Sequence, residues 1–181
     1  MAQLQPVADM SDPLRVVIGN PDLKPSFSHF IGLRFNDFNA EAQRSIMVMG
    51  HVHLTQNSVA SRTSYDQTTG GSTTTYENVN GSWNAFVRNM ISFPFRNKMF
   101  TFNNALMVMY NQSVGFNNNE RNRSGDLRAS VRPGVAWRPA NAELELRPSY
   151  AVRCTRNSLQ TSDQRVIHTY GGPFNATYYT P

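Results

Sequence analysis

The stretch Asp126–Arg153, DLRASVRPGVAWRPANAELELRPSYAVR, alternates almost without a break. Leu127, Ala129, Val131, Pro133, Val135 and Trp137 take one set of positions, and Arg128, Ser130, Arg132, Gly134, Ala136 and Arg138 the other. After Pro139–Asn141 the pattern restarts. Ala142, Leu144, Leu146, Pro148, Tyr150 and Val152 then alternate with Glu143, Glu145, Arg147, Ser149, Ala151 and Arg153. Period two is the signature of a strand, because successive side chains leave a pleated backbone on opposite faces. The short connection predicts an antiparallel hairpin. Each arm is about a dozen residues long, roughly twice the usual globular strand and enough for a tilted strand to cross a bilayer. Full charges at mid-strand on one face suit a watery lumen better than a sandwich core. Pro133 and Pro148 each remove a ladder donor and demand local adjustment.

Working outward, the same alternation recurs. Strands are expected at Ser26–Asn36, Arg44–Asn57, Tyr76–Phe93, Met99–Phe116 and Val166–Thr180, which with the two arms above makes seven. Residues 1–25 are punctuated by Pro6, Pro13, Pro21 and Pro25 and read as an irregular loop leading into a β-segment over 26–181. Ser58–Thr75 reads as a polar loop or the protruding end of two strands, with Gly70–Gly71 at its tip; Gly115–Gly125 and Arg156–Arg165 read as further polar loops. Asp37–Gln43, Pro94–Lys98 and Pro139–Asn141 are the short connections. Short turns on one rim and long loops on the other is the layout of a transmembrane barrel. Phe93, Phe95, Phe100, Trp137, Tyr178 and Tyr179 beside the short turns suit an aromatic girdle, with Tyr170 on the same last strand. The fold class expected is all-β: an antiparallel up-and-down meander of about seven long strands, an open segment of a large barrel wall. Seven antiparallel strands leave two open edges, which hydrocarbon does not tolerate.

Composition sets bounds on function. The 181 residues contain no run of apolar residues long enough for a transmembrane helix, a test that barrel strands escape. The net charge of +5 comes from fifteen arginines and two lysines, scattered along strand faces without a basic helix, so nucleic acid is not expected as a partner. Cys154 has no cysteine to pair with. His51 and His53 share a strand face, but two imidazoles without a placed carboxylate or thiol make a thin metal signal. No nucleophile elbow, paired-carboxylate arrangement or phosphate loop is present, so neither an enzyme nor a cofactor is expected. The N-terminus lacks a basic start followed by an apolar run, so no signal peptide is expected and the chain reads as part of something longer.

Leu4–Phe35, with GNPDLKP at Gly19–Pro25 followed by SFSHF, resembles the barrel region of TonB-dependent receptor-like proteins of Bacteroidetes. So do YENVNGSW (Tyr76–Trp83), NQSVGFNNNERNRSG (Asn111–Gly125) and RNSLQ (Arg156–Gln160). Ser26 departs from the usual acidic residue after that motif. The resemblance implies a wall segment of an outer-membrane transporter for nutrient uptake, here without plug or TonB box. Its partners would be outer-membrane lipid, the rest of the barrel and plug, TonB and a surface lipoprotein. Lumen-facing candidates are Arg128, Arg132, Glu143, Glu145, Arg147 and Arg153, with the arginines placed to pair with the two glutamates. Tyr65, Tyr76, Phe116 and Arg121 are the loop candidates for ligand contact. A soluble or surface-exposed β-sheet binding or adhesion module is the alternative.

Overall fold

The computed structural model describes residues 2–178 apart from 7, 96–97, 118 and 160–163. Asn97 of a short turn, the centre of the Arg156–Arg165 connection and Tyr179 therefore lie outside the described residues. The main sheet is an antiparallel meander of β3 (Phe27–Asn39), β4 (Arg44–Gln56), β7 (Ser82–Phe95), β8 (Phe100–Asn117) and β9 (Glu120–Trp137). It continues through β10 (Ala142–Leu146) with β11 (Ser149–Asn157), and then β12 (Arg165–Gly171) with β13 (Phe174–Tyr178). The last two pairs each occupy one strand position, so the sheet has the seven positions expected. A smaller sheet holds β1 (Ala8–Asp9), β2 (Arg15–Ile18), β6 (Ser72–Val79) and β5 (Ser58–Tyr65), in the order β1-β2-β6-β5. The first 25 residues are thus less irregular than they read, because β2 pairs in parallel with β6.

Registers run without a slip. Val135 pairs with Leu146 and Val131 with Tyr150, so four residues down one strand match four up the other. Pro133 therefore stands opposite Pro148. The same count across the next seam puts Arg147 opposite Pro173 and Pro148 opposite Gly172. The ladder lapses along this row because proline has no N–H to give. One bond still crosses it, from Arg147 N to the Pro173 carbonyl at 3.2 Å. The backbones come close enough that a Cβ on Gly172 would meet Pro148 Cα at 2.9 Å.

Two expected boundaries move. Tyr76–Phe93 is split at Asn80–Gly81, where Gly81 has φ 106°. Asn57 on the partner strand also has a left-handed backbone, φ 52°. Register is kept through the break, since Thr55 pairs with Ser82 and Ser58 with Val79. The hairpin is therefore one long ribbon bent at its waist, and Ser58–Thr75 is its protruding end. Gly115–Gly125 is not a loop. β8 and β9 pair through it as far as Asn117↔Glu120, and Asn119 supplies the left-handed turn residue at φ 71°.

Asparagines fasten the bend to the lead segment. The Asn78 side chain accepts from Lys24 N at 2.7 Å and donates to the Lys24 carbonyl at 3.0 Å, as a neighbouring strand would. It also donates to the Asn57 carbonyl at 2.8 Å, while Asn57 N donates to Asn80 Oδ1 at 2.7 Å. Asn20 closes its own turn on Asp22 N and donates to the Tyr76 carbonyl at 2.9 Å. GNPDLKP and YENVNGSW, far apart in sequence, are thus two halves of one joint. Asn78→Ala removes three hydrogen bonds and is expected to loosen the joint by about 1–3 kcal/mol. Chymotrypsin should then cut after Leu23 sooner, and a cleavage rate equal to wild type would remove this pin.

Little of the sheet is packed against anything. Val79, Val114 and Ala136 are the buried apolar residues among those described, while Ile31 is 69 % and Leu33 68 % exposed. Among the described residues nothing forms a second layer over the apolar side of the meander. That side carries Ile31, Leu33 and Phe35 on β3, in register with Val52, Gly50 and Val48 on β4. It continues through Val87, Val108, Ala129 and Val152, which share one row across β7, β8, β9 and β11. At the short-turn rim Phe95 stacks on Phe100 at 5.4 Å and Phe100 on Trp137 at 6.5 Å, beside Phe93 and Phe102 at 5.2 Å. Toward the other rim Trp83 packs on Tyr110 at 4.8 Å. Phe100 and Tyr110 are ten residues apart on one strand. Ten residues span about 34 Å along a strand, or about 25 Å of height at barrel tilt, which is the height of the outward apolar band in membrane barrels. Tyr170 lies at mid-band, opposite Tyr150. His168, an interruption in the apolar pattern, is taken up there by the Tyr150 hydroxyl at 2.8 Å.

Candidate functional site

The opposite side of the meander gathers the polar set. Reading across the strands, Gly32, His51, Phe86, Met109, Arg128 and Arg153 form one row. Phe30, His53, Asn84, Asn111, Asp126 and Thr155 form the next. His51 stands between two rings, 5.4 Å from Phe30 and 5.4 Å from Phe86. His53 Nδ1 and Asn84 Nδ2 are 3.5 Å apart. Among the described residues no group of three His, Cys, Asp or Glu is gathered. A groove of about 420 Å3 runs beside this cluster, lined by His51, Asn84, Phe86, Met109, Asn111, Asp126 and Arg128. It combines flat apolar surface with amide, carboxylate and guanidinium groups, the mixture that recognises polar solutes.

Of the arginine–glutamate pairs that the sequence suggests, Arg147–Glu145 forms, while Arg128 and Arg153 find another partner. Arg128 and Arg153 face each other directly across β9 and β11, and like charges in that position repel. Asp126 relieves this by taking both: Arg128 Nε at 2.7 Å on one oxygen, Arg153 Nε at 2.8 Å on the other. Arg147 bonds Glu145 on its own strand at 2.7 Å, and Glu143 receives Arg138 at 2.8 Å. So Arg128 and Arg153 do not reach the glutamates, which lie eight to ten residues, about 27–34 Å along the strands, nearer the short-turn rim. Arg132, Arg88 and Arg34 meet no carboxylate among the described residues. The face is therefore strongly cationic. Asp126→Asn is expected to destabilise the sheet by about 1–2 kcal/mol, since the pairs are half-exposed. Arg153→Ala should cost measurably less in that background than alone, by urea titration of the folded protein; equal costs would disconnect the two residues.

Residues 1–169 match the family model for the outer membrane protein beta-barrel family. The chain belongs to that family. Among curated proteins and solved structures, none matches it. In an outer-membrane barrel the apolar band faces lipid, short turns lie in the periplasm and long connections outside. The turns at Ala40–Gln43, Lys98–Met99 and Pro139–Asn141 of this outer-membrane chain share one rim, and the bent ribbon and the β8–β9 tip extend from the other.

At the outer end, the loop candidates divide. Phe116 pairs with Arg121 across β8 and β9. Arg62 of the ribbon lies over the Phe116 ring, 5.5 Å from its centre, and bonds Glu77 at 2.7 Å and Asn119. Arg121 donates to the Asn80 carbonyl at 2.9 Å, so it braces the bend. Tyr65 is exposed near Asn119 at the edge of a shallow recess with Ser64 and Gln67. Tyr76 lies on the ribbon face turned away from Arg62 and does not join them. Nearby, the Thr68 N–H and then the Thr69 hydroxyl hold the Asp66 carboxyl below the usual carboxylate range and shape the ribbon's tip. Sequence reading missed Asp126, Arg62 and Asn78. Asp126 was within reach, because it stands two residues from Arg128 and shares its face.

Proposed function

We propose that this chain is a non-catalytic wall segment of a TonB-dependent receptor-like transporter for nutrient uptake. The observation that carries the reading is the inner face: an arginine-rich surface with an aromatic–amide groove, backed by an apolar band of membrane height. In this reading Arg128, Arg132, Arg147 and Arg153, with Glu143 and Glu145, line the lumen. They meet a plug and passing solute, while the bent ribbon meets ligand or a surface lipoprotein outside. The rest of the wall pairs with the free edges of β3 and β12–β13, and TonB supplies energy through the plug. The resemblance of GNPDLKP and its companion motifs to that receptor class supports the finer assignment.

The test is uptake by cells carrying the intact protein. Deletion of its gene should abolish growth on at least one carbon, iron or cofactor source. Accumulation of that nutrient should stop when a protonophore collapses the inner-membrane gradient, while surface binding persists. Accumulation that survives the protonophore would remove energy-coupled uptake from the proposal.

A further inference from the structure

We propose that the outward face, just above the outer aromatic girdle, carries a groove that binds the phosphate of a lipid headgroup. On this face the row Ala85, Tyr110, Leu127 and Cys154 closes the apolar band. The next row holds Trp83, Gln112, Gly125 and Arg156, and above it come Arg123, opposite Val114, and Arg121, opposite Phe116. The surface thus changes from apolar to cationic over two residues on β11, at Arg156, and over four on β9, at Arg123. Arg123 and Arg156 are exposed and meet no carboxylate among the described residues. Glu120 and Asp126, each three residues from Arg123, stand on the opposite face of β9, and Asp126 is occupied by Arg128 and Arg153.

These arginines border a real depression. A groove of about 400 Å3 is lined by Tyr110, Gln112, Arg123, Arg156 and Ser158, with Gly125 at its floor. The missing side chain at Gly125 keeps it open, and a Cβ there would sit 2.9 Å from the Tyr110 hydroxyl. Gln112 is held in place by its bond to the Gly81 carbonyl at 2.7 Å, and the Arg123 guanidinium lies beside the same glycine. Two guanidinium groups on one groove suit a tetrahedral oxyanion, because arginine offers paired N–H bonds in a fixed fork. The Tyr110 and Ser158 hydroxyls already donate to Gln112 Oε1 at 3.5 Å and Asn122 Oδ1 at 3.1 Å and shape the walls. The position selects the carrier. A phosphate seated here would lie at headgroup depth, and acyl chains hanging from it would run down over Tyr110, Leu127 and Cys154. A soluble phosphate would lose that second set of contacts. Cationic side chains at this depth attract anionic lipid.

The experiment uses the intact protein in phosphatidylcholine nanodiscs doped with bisphosphorylated lipid A, with dephosphorylated lipid A as the comparison. Lipid retained after extensive washing is quantified by mass spectrometry. Retention of the phosphorylated form should fall about tenfold in the Arg123→Gln/Arg156→Gln double variant, the scale of losing charge-assisted bonds. The Arg132→Gln variant, altered on the inner face, should retain lipid as wild type does. Arg123→Lys/Arg156→Lys should recover part of the loss, and a heat-modifiable band on gels identifies folded protein in every sample. Equal retention of phosphorylated and dephosphorylated lipid would overturn the proposal. So would competition by inorganic phosphate at the lipid's own concentration, since the groove would then be an anion site without a lipid. Both readouts are independent of nutrient uptake, so the groove and the transport reading fail separately.

Discussion

Arginine in place of Val131 is expected to destabilise the membrane-embedded wall by about 2–4 kcal/mol, the penalty for a cation on the lipid face near the midplane. Val131 shares its row with Leu106 and Tyr150, midway between the two aromatic levels. Ser130, its neighbour in the chain, points to the inner face between Met107 and Ala151. Ser130→Arg should therefore stay within about 1 kcal/mol of wild type, since water and salt screen it from Arg128 and Arg132. Leu144 is the informative third case. The alternation puts it on the lipid face, but the register places it opposite Trp137, at the rim. Leu144→Arg should cost only about 0–1 kcal/mol, because a long cation near the interface reaches the headgroups. The three variants should be compared by urea titration of the folded barrel in lipid vesicles. Equal penalties at Val131 and Ser130 would reverse the assignment of the two faces.

The second large effect concerns the chain by itself. Expressed without a partner wall and kept out of detergent, it is expected to aggregate or to assemble through its sheet edges. β3 pairs only with β4, and β12 and β13 each pair on one side only. Rows of free N–H and C=O groups are thus open on both flanks, which is a template for further strand pairing. The apolar face adds Phe35 at 54 %, Val87 at 48 % and Phe174 at 65 % exposure, with no layer over them. That is far beyond the few hundred Å2 of apolar patch carried by a typical soluble monomer. Size-exclusion chromatography with light scattering decides the matter. A sharp monomer peak with cooperative thermal unfolding would move the weight to the soluble-module alternative.

What the sequence made legible is the part of the sheet that lies in the membrane. Where one side meets lipid and the other water, the chemistry must alternate, and β4 and β8 could be read within a few residues of their observed limits, as could the rim end of β9. Beyond the girdle both sides of a strand are wet, so the alternation disappears. That is why GFNNNERNRSG, Gly115–Gly125, reads as a loop yet forms the paired ends of β8 and β9. The split at Asn80–Gly81 is invisible for a related reason: the apolar period runs through Val79 and Gly81 undisturbed, and only the left-handed backbone breaks it. For the inner face, membership could be read by parity, but partnership could not. Arg153 reaches Asp126, twenty-seven positions away, only because of the register between β9 and β11. The asparagine joint at Lys24, Asn57 and Asn78 is of the same kind.

The proline row has a mechanical meaning. An unbroken ladder makes neighbouring strands bend as one stiff plate, since curving one of them strains every bond to the next. Along Pro133, Pro148 and Pro173 that coupling is thinned across three adjacent strands at one level, while the register on either side is preserved. The end of β9 stays laddered to β8 without a break, so the short β10–β13 pair, joined to the wall through β9, is the small panel set off by this line. It can swing without sliding, and it returns to the same seat because no residue has shifted along its neighbour. Any flexing of this part of the barrel's inner rim will concentrate at that line and leave the lipid-spanning rows above it undistorted.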